Sequence, residues 1–387
     1  MPVLIPVLAY RRYLGAINPS IQSQSGSMLI HAASVGEMNA LRALISSLRH
    51  DHPDREIIIT NTNINALGIG PAIDSSIRSE LAVLDVFHLR YRQLSRIKPK
   101  LICIMETEIW PNLLLIARLK RIPIVFLNAR MTAKSLVEYQ HFAWLIRFAS
   151  KSVEQINCQS QDDAMRFKEI FDCAVAVSGN LKFCPKLPHY DSECTRTHWN
   201  ILPDSPVIVF GSSRPGEEEL ILKLWPALKL NHPSLRLLIA PRHLSRMAEL
   251  EKLFSGIAYS RESQEEEVQD IHVIDKLGLL NQAYSICDLA IVGGSFFDFG
   301  GHNPLEPAFY GKAIIMGKYH KSCRDSVDRL LEAKAILLSN QEDLPNDIES
   351  LLDNAMLRGD MGNAAQQVLK QNSLALERHM ESIKAWL

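Results

Sequence analysis

Short apolar runs recur along the chain, each closed by a polar or glycine-bearing turn and followed by apolar residues at helical spacing. Met28–Ala33 is the first run. Behind the turn Ser34-Val35-Gly36-Glu37, residues Leu41, Leu44, Ile45 and Leu48 recur as one face of a helix. Further strands are predicted at Glu56–Thr60, Leu81–Leu84, Leu101–Met105, Ile122–Leu127, Gln155–Cys158 and Ala174–Val177. The alternation breaks at 185–203, a stretch rich in Pro, His and polar residues that reads as a linker. It restarts with strands at Val207–Phe210, Leu235–Ala240, Ile271–Ile274, Leu289–Val292 and Ala313–Met316, and from about Asn340 the pattern is helical.

Strands alternating with helices predict α/β architecture with parallel sheets and right-handed crossovers. Ligands of such sheets bind beyond the carboxyl ends of the strands. The loops SVGE, NTNIN, METEIWP and NAR all lie at those ends and are expected to share one rim. The organisation expected is an N-terminal peripheral membrane-associating segment and spacer (1–27), a Rossmann-like acceptor domain (28–184) and the linker (185–203). A Rossmann-like nucleotide-sugar domain (204–365) and a C-terminal helix (366–387) complete it.

Composition adds a charge split. Residues 1–185 hold 21 Lys/Arg and 15 Asp/Glu, a net +6; residues 186–387 hold 21 and 28, a net −7; the sum is the chain's −1. The positive half favours an anionic partner. Seven cysteines without a CxxC pair fit reduced, core-packed thiols. The histidines form no HExxH pair, so no metal site and no cofactor is indicated. The N-terminal run MPVLIPVLAYRRY is too short to span a bilayer, which takes about 20 residues. It suits the surface of one.

Candidate chemistry sits at the strand ends. Glu37 opens a helix at the first rim; an acid there also favours the helix dipole. Glu106 and Glu108 flank Thr107, one expected to face the site and the other to cap the helix after Pro111. Gly293–Glu306 (GGSFFDFGGHNPLE) follows a buried strand and leads into a helix at Pro304. Its glycines admit a ligand close to the backbone, its N–H groups suit a phosphate, and Glu306 suits a ribose diol. Gly211-Ser212-Ser213 is a second anion site of the same kind, with Arg242 and Lys182 as cationic partners.

HAASVGE, METEIWPNL, NAR, SGNLKF, GSSRPGEEE, PRH and GGSFFDFGGHNPLEPA occur in this order. Together they resemble the 3-deoxy-D-manno-oct-2-ulosonic acid (Kdo) transferases of lipopolysaccharide assembly, from about Leu29 to Tyr319. The resemblance implies a GT-B fold, two Rossmann-like halves facing across a cleft. It also implies metal-independent, inverting transfer of Kdo from CMP-Kdo to the lipid A precursor, at the cytoplasmic face of the inner membrane. No nucleic-acid partner is implied. The family's general base falls on Glu37 and its second acidic position on Glu106. Donor contacts fall on Ser212, Arg242, Gly294, Asn303 and Glu306, with Lys182 near the phosphate or the sugar carboxylate.

Two departures stand out. The family's longer hydrophobic N-terminal helix is replaced by MPVLIPVLAYRRYLG, which implies peripheral or weak membrane attachment. After PRH, where proline and an acidic residue are common, stands Leu244-Ser245-Arg246. Two other readings stay open at this point. One is a GT-B enzyme using a UDP-sugar, of the lipid A disaccharide synthase or UDP-sugar epimerase type. The other is a non-catalytic membrane-peripheral binding protein.

Overall fold

The structure is a computed structural model that describes residues 26–185, 187–264 and 267–387. The N-terminal stretch expected on a membrane surface lies, up to residue 25, outside them. The chain forms two compact units. One ends at Cys184 and is completed by Asn372–Leu387; the other is Pro185–Gln371.

The first unit runs β1 (Met28–His31), α1 (Val35–Asp51), β2 (Ile57–Asn61), α2 (Ile69–Ile73) and β3 (Arg78–Leu81). It continues with α3 (Phe87–Ile97), β4 (Leu101–Met105), α4 (Pro111–Lys120) and β5 (Ile124–Ala129). Next come α5 (Ala133–Gln140), α6 (Ala143–Ala149), β6 (Val153–Cys158), α7 (Gln161–Lys168) and β7 (Ala174–Val177). The strands are parallel, in the order β3-β2-β1-β4-β5-β6-β7. The order reverses between β1 and β4, and there a doubly wound sheet opens its ligand crevice. Strands β1, β2, β4 and β5 are buried along their whole length, as continuous apolar runs covered on both faces must be.

The second unit runs α8 (Ser192–His198), β8 (Val207–Ser213), α9 (Glu217–Asn231), β9 (Arg236–Pro241) and α10 (Met247–Leu253). Then follow β10 (Ser260–Arg261), β11 (Ile271–Val273), α11 (Leu280–Ile286), β12 (Leu289–Val292) and α12 (Leu305–Phe309). It closes with β13 (Ala313–Met316), α13 (Arg324–Glu332), β14 (Ile336–Leu338), α14 (Leu344–Asp353) and α15 (Ala355–Gln371). Its parallel sheet has the order β10-β11-β9-β8-β12-β13-β14, which reverses between β8 and β12.

Three expectations shift. The third strand is Arg78–Leu81, not Leu81–Leu84. It is a polar edge strand whose Arg78 and Glu80 pair with Glu56 and Arg96, while Ala82 and Val83 are buried just beyond it. The expected linker contains α8, and Trp199 behind it is fully buried among Ile201, Val207 and Tyr284 of the second unit. The C-terminal helix expected from 366 begins instead at Leu374, because α15 runs unbroken to Gln371.

That last helix, α16 (Leu374–Ile383), packs back on the first unit. The Asn128 N–H donates to His379 Nε2 at 2.9 Å, and Asn157 Nδ2 donates to Ser382 Oγ at 2.9 Å. Burial pushes His379 down to about 4, so its ring is neutral at physiological pH. The unfolded chain takes up a proton near pH 6.5 and the folded one does not until about 4. Stability therefore falls as pH drops through this window. The expected loss from His379 is about 2 kcal/mol between pH 7 and pH 5. Urea unfolding of His379→Gln at the two pH values is expected to show a pH dependence shallower by that amount. Parallel behaviour of the two proteins would refute the assignment.

Candidate active site

At the first rim, Ser34 is the N-cap of α1 and Glu37 stands three residues on. The Ser34 hydroxyl accepts from the Glu37 N–H at 3.2 Å and donates to the Glu37 carboxylate at 2.8 Å; the Ala33 N–H donates to the other carboxylate oxygen at 2.8 Å. This is a variant of the capping box in which the carboxylate accepts from the N–H of the residue before the N-cap, and it fixes the Glu37 rotamer. The carboxylate is nevertheless held up at about 7. Burial is the main cause. Glu106 and Glu108, at the end of neighbouring β4, add repulsion, and the two hydrogen bonds oppose it. A carboxylate titrating near neutrality is matched to general-base work.

Glu106 and Glu108 part company, as expected for alternate positions. Glu106, at φ +51°, turns to Lys182 at 3.0 Å. Glu108 lies 3.7 Å from Nε2 of buried His31, whose Nδ1 meets Thr60 Oγ1 at 2.9 Å. Neither carboxylate caps α4. Asp85 does so instead, accepting from the Asn112 and Leu113 N–H groups at 2.9 and 3.1 Å. Pro111 at N1 holds the start of α4, and the cap comes from a segment distant in sequence.

Lys182 thus stands on the first unit, beside the Glu37 rim. Buried amides place it: Asn128 Oδ1 accepts from the Leu181 N–H, the Asn128 carbonyl from Gln159, and Gln159 Oε1 from Asn180. Asn180 Oδ1 in turn accepts the Lys182 N–H at 2.9 Å. The NAR and SGNLKF motifs are therefore two sides of one positioning network. Asn128 itself adopts φ +53°.

At the second rim, Ser212 is the penultimate residue of β8, with φ +57°, Arg242 follows β9, and Gly294 lies just beyond β12. The expected backbone phosphate cradle is already filled. The N–H groups of Gly294, Ser295 and Phe296 donate to the Glu217 carboxylate at 2.8–3.0 Å, and so does that of Arg214 at 2.9 Å. Glu217 is fully buried, and burial pushes it up despite these donors. In the Gly293 loop these N–H groups are thus taken by a carboxylate of the protein itself. Gly294 keeps a conformational role: at φ +70°, a Cβ there would lie 2.8 Å from the His302 ring.

Side chains supply the positive charge at this rim. Arg214 donates to the His243 ring and lies over Phe299 at 4.5 Å. Burial, with Arg242, Arg214 and His243 nearby, pushes His302 down to about 4. Glu306 is raised by burial, with Asn303 (3.4 Å) and Arg242 opposing. The helix at Pro304 is one short turn, Leu305–Phe309, and Pro304 is its N-cap. The unusual Arg246 after PRH reaches the fully buried Glu218 at 2.8 and 3.2 Å, which accounts for a basic residue there. Arg214, His243, His302 and Glu217 were not singled out by the sequence pattern. Consecutive acids at a helix start, Glu217-Glu218-Glu219, were the available signal. Among the described residues one trio has metal-ligand spacing, His232, Glu349 and Asp353, away from both rims.

A family model described as 3-deoxy-D-manno-octulosonic-acid transferase matches residues 9–184. The 3-deoxy-D-manno-octulosonic acid transferase of Haemophilus influenzae is 32% identical over 93% of this chain and 87% of its own length. The chain belongs to the Kdo transferase family. It is therefore a glycosyltransferase. Solved structures give the same architecture. A UDP-GlcNAc 2-epimerase from Neisseria meningitidis superposes with TM-score 0.58 at 14% identity, over 93% of this chain and all of that one. MurG from Acinetobacter baumannii gives 0.55 at 14% identity, over 94% and 100%. These likenesses establish the fold of the transferase as GT-B.

Proposed function

We propose that this transferase moves Kdo from CMP-Kdo to the lipid A precursor lipid IVA, with inversion at the anomeric carbon and Glu37 as general base. The observation that carries the reading is a buried carboxylate at the switch point of the first sheet, fixed by two hydrogen bonds and held near neutral pKa. Under this reading Glu37 takes the proton of an acceptor hydroxyl as that oxygen bonds to C2 of Kdo. The bond from C2 to the phosphate oxygen breaks, and CMP leaves with the electron pair. Lys182, paired with Glu106, offers its charge to the sugar carboxylate or the phosphate. On the second unit Arg242, with Arg214 and His243, takes the place of backbone N–H groups as the phosphate-facing charge. Ser212 and Gly294 shape that rim, and Asn303 and Glu306 suit the ribose hydroxyls. The acceptor would be met at the cytoplasmic face of the inner membrane; among the described residues no helix is long and apolar enough to cross it.

Incubation with CMP-Kdo and a tetra-acylated lipid A precursor, followed by mass spectrometry, tests the reading. The expected product is heavier by whole Kdo units, and absence of any adduct would overturn it. Nucleotide choice gives a second test. At 100 times its Kd a nucleotide stabilises the native state by about 2.7 kcal/mol. CMP is expected to raise the melting temperature and UDP to leave it unchanged; the reverse order would favour a UDP-sugar enzyme.

A further inference from the structure

Helices α3, α4 and α6 of the first unit pack side by side, α3 against α4 and α4 against α6. An ordinary surface helix turns charged residues of both signs to water. These three carry Arg90, Arg92, Arg96, Arg118, Lys120 and Arg147, and not one Asp or Glu. Their outer face is aromatic. Phe87 and Tyr91, one turn apart on α3, are exposed and stack at 6.4 Å. Trp144 and Phe148, one turn apart on α6, are exposed too, Trp144 by 71%. Leu119 on α4 is 61% exposed, and its neighbours bind the two aromatic pairs: Lys120 sits over the Tyr91 ring at 4.1 Å and Arg118 over the Phe148 ring at 4.4 Å. Phe142, at the start of α6, extends the same face.

The acidic groups that adjoining elements bring are few. Asp85 and Glu80 engage Arg90 and Arg96, and Asp172 lies 3.5 Å from Arg147. Arg92, Lys120 and Arg121 leave the face positive. Its upper end reaches the rim of Glu37: Trp110, the N-cap of α4, meets His31 edge-on at 6.1 Å and lies under the Arg90 guanidinium at 5.7 Å.

We propose that this α3–α4–α6 face is a docking surface for an anionic lipid bilayer, with Trp144, Phe148, Tyr91, Phe87 and Leu119 entering the headgroup layer. Aromatic rings favour that depth, and interleaved cations meet the negative surface potential. The purpose of the docking rests on the glycolipid-acceptor reading, which it deepens by giving the membrane a face of the fold. The test contains neither donor nor acceptor, so its outcome is separate from that of the transfer assay.

The full chain and its Trp144→Ser/Phe148→Ser double variant are sedimented with vesicles of phosphatidylcholine alone or with 30% phosphatidylglycerol (~30%, to reach a strongly negative surface potential). Both side chains are exposed, so the fold is expected to be kept, with unchanged melting as the check. The expected result is binding to the anionic vesicles only, about tenfold weaker in the variant and weakened by salt. The N-terminal segment is present in both proteins and does not affect the comparison. Equal binding by variant and parent overturns the proposal, as does absence of binding by the parent. A lipid-free dimer of the parent that the variant fails to form also overturns it, by assigning the face to a second copy.

Discussion

Glu37→Gln is expected to lower Kdo transfer by at least ~10²-fold, the usual loss when a general base is removed. The amide keeps the shape and can still accept from the Ala33 N–H, so CMP protection against melting is expected to survive. In the parent protein the rate should rise with pH through about 7, where Glu37 ionises. The same residue makes a stability prediction of definite sign. Its folded pKa lies above the value of 4.5 in an open chain. The protonated form is the favoured one in the fold, and stability is lost as pH rises from 4.5 through 7. The neutral amide escapes that loss, so the variant should gain about 2–3 kcal/mol on the parent between pH 5 and pH 8. Unchanged turnover would remove Glu37 from the chemistry. A pH-independent stability difference would remove the raised pKa.

Glu217→Ala is expected to have the largest structural effect at the second rim. It strips the acceptor from the N–H groups of Arg214, Gly294, Ser295 and Phe296 at once. A buried donor left unpaired costs about 1–3 kcal/mol, and four that share one acceptor do not simply add. A loss of about 4 kcal/mol or more from the second unit is expected. CMP is expected to protect poorly even below the melting point, because the loop from Gly293 to Asn303 loses its anchor. Glu217→Gln, which retains one oxygen but brings its own donor among the four, should fall between. A Glu217→Ala protein that melts like the parent would show that water replaces the carboxylate.

What the chain disclosed in advance follows from burial. Central strands such as Leu101–Met105 and Leu289–Val292 are covered on both faces, so they read as unbroken apolar runs. The edge strand at Arg78 satisfies its charges through ion pairs and shows no such run; the apolar tetrad beside it draws the prediction three residues downstream. The place of Glu37, behind a strand and in the first turn of a helix, is legible because a strand, a turn and a helix start are local. Asp85 capping α4, and Glu217 closing a loop almost eighty residues away, are not local, and no window of sequence contains both partners. The glycine loop reads in sequence as a phosphate site, whereas the N–H groups of Gly294, Ser295 and Phe296 are taken by Glu217 in the fold. The missing knowledge was that the chain itself brings that carboxylate.

The return of α16 to the first unit has a consequence for how the molecule is made. The second unit, Pro185–Gln371, is uninterrupted in sequence, whereas the first lacks Asn372–Leu387 until everything between has been synthesised. On the ribosome the half translated last has all its parts before the half translated first. The acceptor of the Asn128 N–H, His379, arrives only after both sheets have been translated. A chain that stalls before residue 372 would carry a finished second unit and an unfinished first one, with the Lys182 network still lacking its Asn372 contact to Asn180. Completion of the first unit is thereby tied to translation of residues beyond Gln371.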